Sequence, residues 1–166
     1  RNPVFDEETV RAMVRDNLQA LTEMQLSDGG WGWFSGFGEH SSADTTANVV
    51  RGLQVAQAND VALVPGVYEK GVEWLKRYQD RQVQLLNNAP SKTKPYKTYA
   101  DTLDALVYMV LVDADVANDE MQKFLYRDRN HLAVYAKALF GLALHKQQEA
   151  EQLAMIVRNI EQYLVQ

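Results

Sequence analysis

The sequence predicts an all-α protein built from helical hairpins, on three observations. Apolar residues recur at intervals of three and four along most of the chain. Capping residues and glycines punctuate those runs at short intervals. Outside one tryptophan-rich stretch, no segment alternates with the period of two that a half-buried strand needs. Some runs are apolar on one side and two are apolar almost all round. That mixture predicts two layers, with inner and outer helices, rather than a simple four-helix bundle.

The first helix is expected over residues 6–25, with Val10, Met13, Val14, Asn17, Leu18, Leu21 and Met24 as its stripe and three acids, Asp6, Glu7 and Glu8, in the first turn, where the helix dipole favours negative charge. Residues 26–41 break the pattern with glycines. A second helix follows over 42–59, capped by Ser41 or Ser42 and buried through Thr46, Val49, Val50, Leu53 and Ala56. Pro65 suits the first turn of a third helix over 66–86, which carries Val67, Gly71, Trp74, Leu75, Tyr78 and Leu85 on one side. Residues 87–98 hold Pro90, Pro95 and several lysines and read as a surface connection. The spans 99–113 and 131–146 are the two helices apolar all round. Between them, Asn118 or Asp119 caps a short helix ending near Arg127. A last helix over 148–165 returns to a single stripe of Leu153, Val157, Ile160 and Leu164.

The 166 residues, 46% hydrophobic and 23% charged, suffice for a single domain over 1–166 with one sizeable core. The net charge of -5 and the absence of a basic stripe argue against nucleic acid as a partner. No apolar run approaches the roughly 20 residues of a membrane span, so direct membrane insertion is not expected. The chain has no cysteine, which excludes a disulfide, a thiolate zinc site and a cysteine nucleophile within it. Its first residue is Arg1 rather than Met, and the expectation is a piece of something longer.

Two motifs stand out. Gln25-Leu-Ser-Asp28-Gly29-Gly30-Trp31-Gly32-Trp33-Phe34 combines a turn signal with tryptophans that would point the same way in an extended stretch. One reading is that the rings plug the end of a helical hairpin, with Gln25 bonded to the loop backbone. The other is an aromatic platform for a sugar or peptide, with Phe37 and Glu39 nearby. The second motif, Gly71-Val-Glu-Trp74-Leu75-Lys-Arg-Tyr78-Gln79, echoes the first. Gln25 and Gln79 lie 54 residues apart, a spacing of one helical hairpin per repeat.

A helix ending in Gln followed by Asp-Gly-Gly-Trp resembles the staple of α/α-toroid hairpins, found in terpene cyclases, protein prenyltransferases and the thioester domains of complement and alpha-2-macroglobulin proteins. With residues 42–53, Gly71–Gln79 and the later Tyr135-Ala-Lys-Ala-Leu-Phe-Gly-Leu-Ala-Leu-His145, the chain is most similar to the bacterial alpha-2-macroglobulin family. The resemblance implies an α/α-toroid of inner and outer helices, incomplete at this length. It implies a non-enzymatic, structural part of a bait-and-trap endopeptidase inhibitor of the periplasm, cell envelope or extracellular space. Partners would be other domains of the parent chain and, through the parent, target proteases. Trp31, Trp33, Phe34 and Phe37 would form an interaction surface or shield a thioester. The family's Cys-x-Glu-Gln thioester motif is absent and would be expected before Arg1. No histidine lies in residues 87–98, where certain complement-type members carry one that assists acyl transfer.

No catalytic residue, cofactor site or metal site is expected. A cyclase would need an Asp-x-Asp-Asp cluster, which neither Asp101-Thr-Leu-Asp104 nor Asp113-Ala-Asp115 supplies, and a prenyltransferase would need a cysteine among its zinc ligands. The alternatives are a toroid enzyme for a terpenoid or polysaccharide, drawing on Tyr96, Tyr99, Asp101 and His131, or a carbohydrate-binding module built on Trp31, Trp33 and Phe37. Glu39, His40 and Asp44 are a remote metal candidate. Asp101 and Asp104 are expected to cap a helix, His131 to start one, and His145 to sit at a helix C-terminus.

Overall fold

The computed structural model describes residues 6–33 and 38–163. Phe34 and Phe37 of the aromatic motif therefore lie outside the described residues. Among those described there are seven helices and no strand: α1 (Glu7–Glu23), α2 (Ala43–Ala58), α3 (Val67–Asn88), α4 (Thr102–Asp113), α5 (Asp119–Arg127), α6 (Val134–Lys146) and α7 (Ala150–Glu161). The all-α expectation holds. The chain forms two compact units, Arg1–Glu73 and Trp74–Gln166.

Most helix starts follow from local chemistry. The side chains of Asp6, Ser42, Asp101 and Asn118 accept backbone N–H groups of α1, α2, α4 and α5, satisfying donors that a helix start leaves orphaned. At α4 the cap is reciprocal, with Asp101 accepting the Asp104 amide and Asp104 accepting the Asp101 amide. Three helices end in the same left-handed device. Asp60, Asp115 and Gln148 have φ of 60°, 58° and 61°. After each, the next residue's N–H reaches back to the helix: Val61 to Ala56, Val116 to Leu111 and Glu149 to Leu144, at 3.0 Å in each case.

In the first unit, α2 buries Ala43, Thr46, Ala47, Val50 and Leu53, whereas no residue of α1 is buried. The apolar stripe of α1 forms as expected but stays half covered. In the second unit, α4 is an inner helix, buried continuously from Asp104 to Val112, and packs against α5 and α6; α6 in turn packs against α7.

Helix α6 differs from expectation. Its all-round apolar composition predicts burial on every side, yet Tyr135 is 61% exposed and Val134 and Leu142 are also exposed. The buried face instead uses Ala136, Leu139, Phe140, Ala143, Leu144 and Lys137, which is only 1% exposed. The Lys137 ammonium lies 4.6 Å from the Tyr163 ring centroid and 3.3 Å from its hydroxyl, so a cation–π contact takes the place of an ion pair. Helix α4 starts at Thr102 rather than 99, because Asp101 caps there. His131 lies in the turn before α6 and stacks on Tyr99 with ring centroids 4.0 Å apart, so it does not start the helix.

Candidate functional site

The tryptophan loop is assembled from the backbone outward. Leu26 N–H donates to Gly30 O and Gly29 N–H to Leu26 O, both at 2.9 Å, closing a tight turn. Gly29 has φ +94°, and a Cβ there would stand 2.8 Å from Lys70 O, so only glycine lets the loop lie against the start of α3. Asp28 holds the turn by accepting the Gly30 amide at 3.1 Å and the Ser41 hydroxyl at 2.6 Å. Gln25 then ties two elements together, its Nε2 donating to Gly29 O at 3.0 Å and to Val67 O at 2.9 Å.

Trp31 is the plug that the hairpin reading anticipates. It is 2% exposed, and its indole N–H donates to Leu21 O at 2.7 Å. Its backbone is satisfied as well, with its N–H donating to Thr46 Oγ1 at 2.9 Å and its carbonyl accepting the Ser42 amide at 2.8 Å. Gly71 of α3 faces this ring: a Cβ there would stand 2.8 Å from Trp31 Cζ3 and 2.7 Å from Val50 Cγ2. The glycine of the second motif thus makes room for the tryptophan of the first.

Trp33 does not share that environment. It is 69% exposed, so the alternation that places both rings on one side fails. Gly32 packs against the Glu39 side chain, the chain bends at Trp33, and the second ring faces solvent. Trp31 and Trp33 nonetheless border one open hollow of about 500 Å³, with Leu21 of α1, Met24 at its C-cap, and Asp44, Thr45, Asn48, Val49 and Gly52 from α2 among its walls. A second hollow of about 380 Å³ continues along the same helices, past Val14, Leu18, Val55 and Ala56 to Val61. Leu21 and Gly52 line both. The lining is mainly apolar with a few polar groups, the composition of a binding surface. Sequence reading singled out the tryptophans but missed Asp44 and Asn48 as their companions, and Val55 as part of the second hollow. A glycine inside the apolar pattern of α2 is the signal that was there to find.

The second unit holds a polar cluster around the start of α4. Lys97 Nζ lies 2.6 Å from Asp104 Oδ2 and 2.7 Å from Asp101 Oδ2. Asp104 is fully buried, and burial, with the nearby Asp101 charge, raises its pKa above the usual carboxylate range against the opposing pull of Lys97 and the Asp101 amide. Tyr78 is pushed up as well, mainly by burial and then by Asp104 and Asp101. On the other side of the same loop, buried Asp128 accepts the Ala100 amide at 2.8 Å and the Arg127 guanidinium at 2.7 and 2.8 Å. That charged hydrogen bond raises the Arg127 pKa. Deeper in the unit, the Tyr108 hydroxyl stands 3.0 Å from Gln122 Oε1 and 2.9 Å from Gln147 Oε1; burial pushes its pKa up to about 12.

Asp101, Asp104 and Asp128 hold backbone amides, while Lys97 and Tyr108 hold other side chains. Asp101 and Asp104 cap α4, as expected, and His131 covers Tyr99. Tyr96, also weighed as a catalytic contributor, lies on the exposed loop before α4. His40 is exposed and His145 sits in the last turn of α6. Among the described residues no three His, Cys, Asp or Glu side chains stand close enough to hold a metal ion, so Glu39, His40 and Asp44 are not assembled as a site. Gln79 is buried, whereas its counterpart Gln25 is half-buried, and the Gln79 Nε2 has no hydrogen-bond partner among the described residues. No helix among the described residues is long and apolar enough to cross a membrane.

No family model matches this chain, and no curated protein or solved structure matches it either.

Proposed function

We propose that this chain is a non-enzymatic structural part of an alpha-2-macroglobulin-like protease inhibitor, contributing helices to an incomplete α/α-toroid of the thioester-domain type. The observation that carries the reading is the staple. Gln25 joins the Asp-Gly-Gly-Trp turn to α3, and Trp31 closes the end of the α1–α2 pair while Gly71 makes room for its ring. Exposed apolar helix faces support it further. Val10 and Met13 of α1 and Tyr135 and Leu142 of α6 are the kind of surface that other domains of a parent chain would cover.

In this reading the chain's work is to frame and dock. Trp33, beside the hollow, would meet a neighbouring domain or exclude water from a thioester carried elsewhere in the parent. The parent would act on proteases outside the cytoplasm, in the periplasm, cell envelope or extracellular space. The test is the intact mass of the full-length parent before and after methylamine, with a thiol assay alongside. One added methylamine with one newly freed thiol is the expected result for a thioester trap. If neither appears, and a bait-cleaved parent leaves its protease open to large inhibitors, the inhibitor reading is wrong.

A further inference from the structure

Gly52 sits in the middle of α2 without a reason inside the described residues. Glycine is the weakest helix former after proline, so a mid-helix glycine needs compensation. At Gly71 the compensation is the Trp31 ring and Val50. At Gly141 a Cβ would already touch Ile156 and Leu153 of α7, at 3.6 and 3.7 Å. At Gly52 a Cβ would meet nothing within 4 Å. This residue is also shared by both hollows, at the middle of the groove they form along α1 and α2. A helix face with that profile leaves room for another backbone to approach closely.

We propose that the α1–α2 groove docks an amphipathic helix of another polypeptide, apolar along one side and bearing lysine or arginine at the end that meets Asp44 and Trp33. From Val14 to Met24 the groove follows α1 for about 15 Å at the helical rise, or roughly three turns of a partner helix. Val14, Leu18, Leu21 and Val55 offer apolar contacts for anchors spaced three and four residues apart. Gly52 lets the partner's backbone come near.

Charge selects the partner. Asp44 is the only charged side chain lining either hollow among the described residues. A cation there would also lie near the exposed Trp33 ring, which favours it. The wider field agrees: residues 1–73 carry 11 acidic and 5 basic side chains, a net of -6, against 11 acidic and 12 basic in residues 74–166, a net of +1. A second copy docked groove to groove across a two-fold axis would bring the same acidic unit and meet like charge. Docking here is independent of whether the parent carries a thioester.

The probe is a fluorescein-labelled helical peptide with leucines along one face and lysines on its flanks, compared with a twin in which glutamate replaces lysine. Anisotropy titrations against the chain should show the lysine peptide binding, the glutamate twin binding at least about tenfold more weakly, and added salt weakening the lysine peptide. Gly52→Leu should reduce affinity by about tenfold or more while raising helicity, since its side chain enters open space. Asp44→Lys should invert the preference between the peptides, and Val55→Glu, at an exposed position, gives a second block that cannot disturb the core. Absence of binding, equal binding of the two peptides, or binding unaffected by Gly52→Leu and Val55→Glu overturns the proposal. So does self-association of the chain in sedimentation that Gly52→Leu abolishes, which would assign the groove to a second copy.

Discussion

The two units bury their cores by different means. The first has one two-ring side chain, Trp31, seated among α2, the end of α1 and the start of α3, and it leaves α1 without a buried residue. The second encloses a whole helix, α4, and spreads burial over Leu106, Tyr108, Met109, Leu111, Phe140, Leu144 and Ile156. A core centred on one large ring, with Ala47, Val50 and Leu53 of α2 also buried, is easy to specify and easy to break. A core of many interdigitated aliphatic and aromatic side chains is harder to read from sequence, because no single residue announces it, and it tolerates single changes better.

The sharpest way to break that contrast is Trp31→Ala. It removes the ring, the Leu21 hydrogen bond and the surface facing Gly71, and a buried tryptophan truncation costs about 3–5 kcal/mol. Urea melts followed by far-UV circular dichroism should show the loss. Trp33→Ala, two residues on, should shift stability by no more than about 0.5 kcal/mol because that ring is exposed. Equal effects at the two positions would mean that the plug is not what holds the first unit.

A second test asks whether the repeat relating Gln25 to Gln79 is energetic or only a pattern. Gln25→Leu strands two part-buried carbonyls, Gly29 O and Val67 O, and should cost about 1–3 kcal/mol. Gln79→Leu removes an amide whose Nε2 is buried and unpartnered, so it should be neutral or stabilising by up to about 1 kcal/mol. Matching losses in denaturant melts would show that Gln79 has a partner in solution and that the two hairpins are built alike.

These pairs also mark how far the sequence could be read. Helix number and order were legible, because capping residues such as Asp6, Ser42, Asp101 and Asn118 act through local geometry that needs no knowledge of the fold. Trp31 was legible as a plug because Asp28-Gly29-Gly30 fixes the turn that delivers it. Trp33 was not. Alternation predicts a common direction only in an extended strand, and the chain bends at Trp33 itself. Lys137 was illegible for a related reason. On a helix apolar all round, sequence offers no stripe, so which side is buried is decided by the tertiary packing of α4 and α7. The hollow beside Trp33 needed two helices brought side by side, and only Gly52 hinted at it.

A third test separates the units by pH. Asp104 belongs to the second unit, and its folded pKa lies above the unfolded value, so the folded chain holds this proton into a range where the unfolded chain has lost it. The folded state then binds more protons, and this group's contribution makes stability fall as pH rises from about 4, the ordinary aspartate value, through the folded pKa. Asp104→Asn lacks that dependence. The stability difference between variant and wild type should therefore move in favour of the variant as urea melts are repeated from about pH 4 to pH 7. A difference that moves the other way would mean that the Lys97 ion pair outweighs burial and lowers the folded pKa.

The smallest effects return to the left-handed helix ends, where the two units use the same device with different residues. Asp60, Asp115 and Gln148 all hold a positive φ that only glycine adopts without strain. Replacement by glycine keeps the backbone hydrogen bonds of the motif and removes the clash of Cβ with its own carbonyl. It also loosens the unfolded chain, which offsets part of the gain. Aspartate tolerates this region better than glutamine, because its short side chain can bond locally. Asp115 has in addition the Lys146 ammonium 3.6 Å away, a weak exposed pair that glycine would lose. Gln148→Gly should therefore stabilise most, by about 1 kcal/mol, Asp60→Gly less, and Asp115→Gly least. Thermal melts of the three variants at one pH give the order directly. If Asp60→Gly gave the largest gain, strain at the end of α2 would join the exposed face of α1 as a second weakness confined to the first unit.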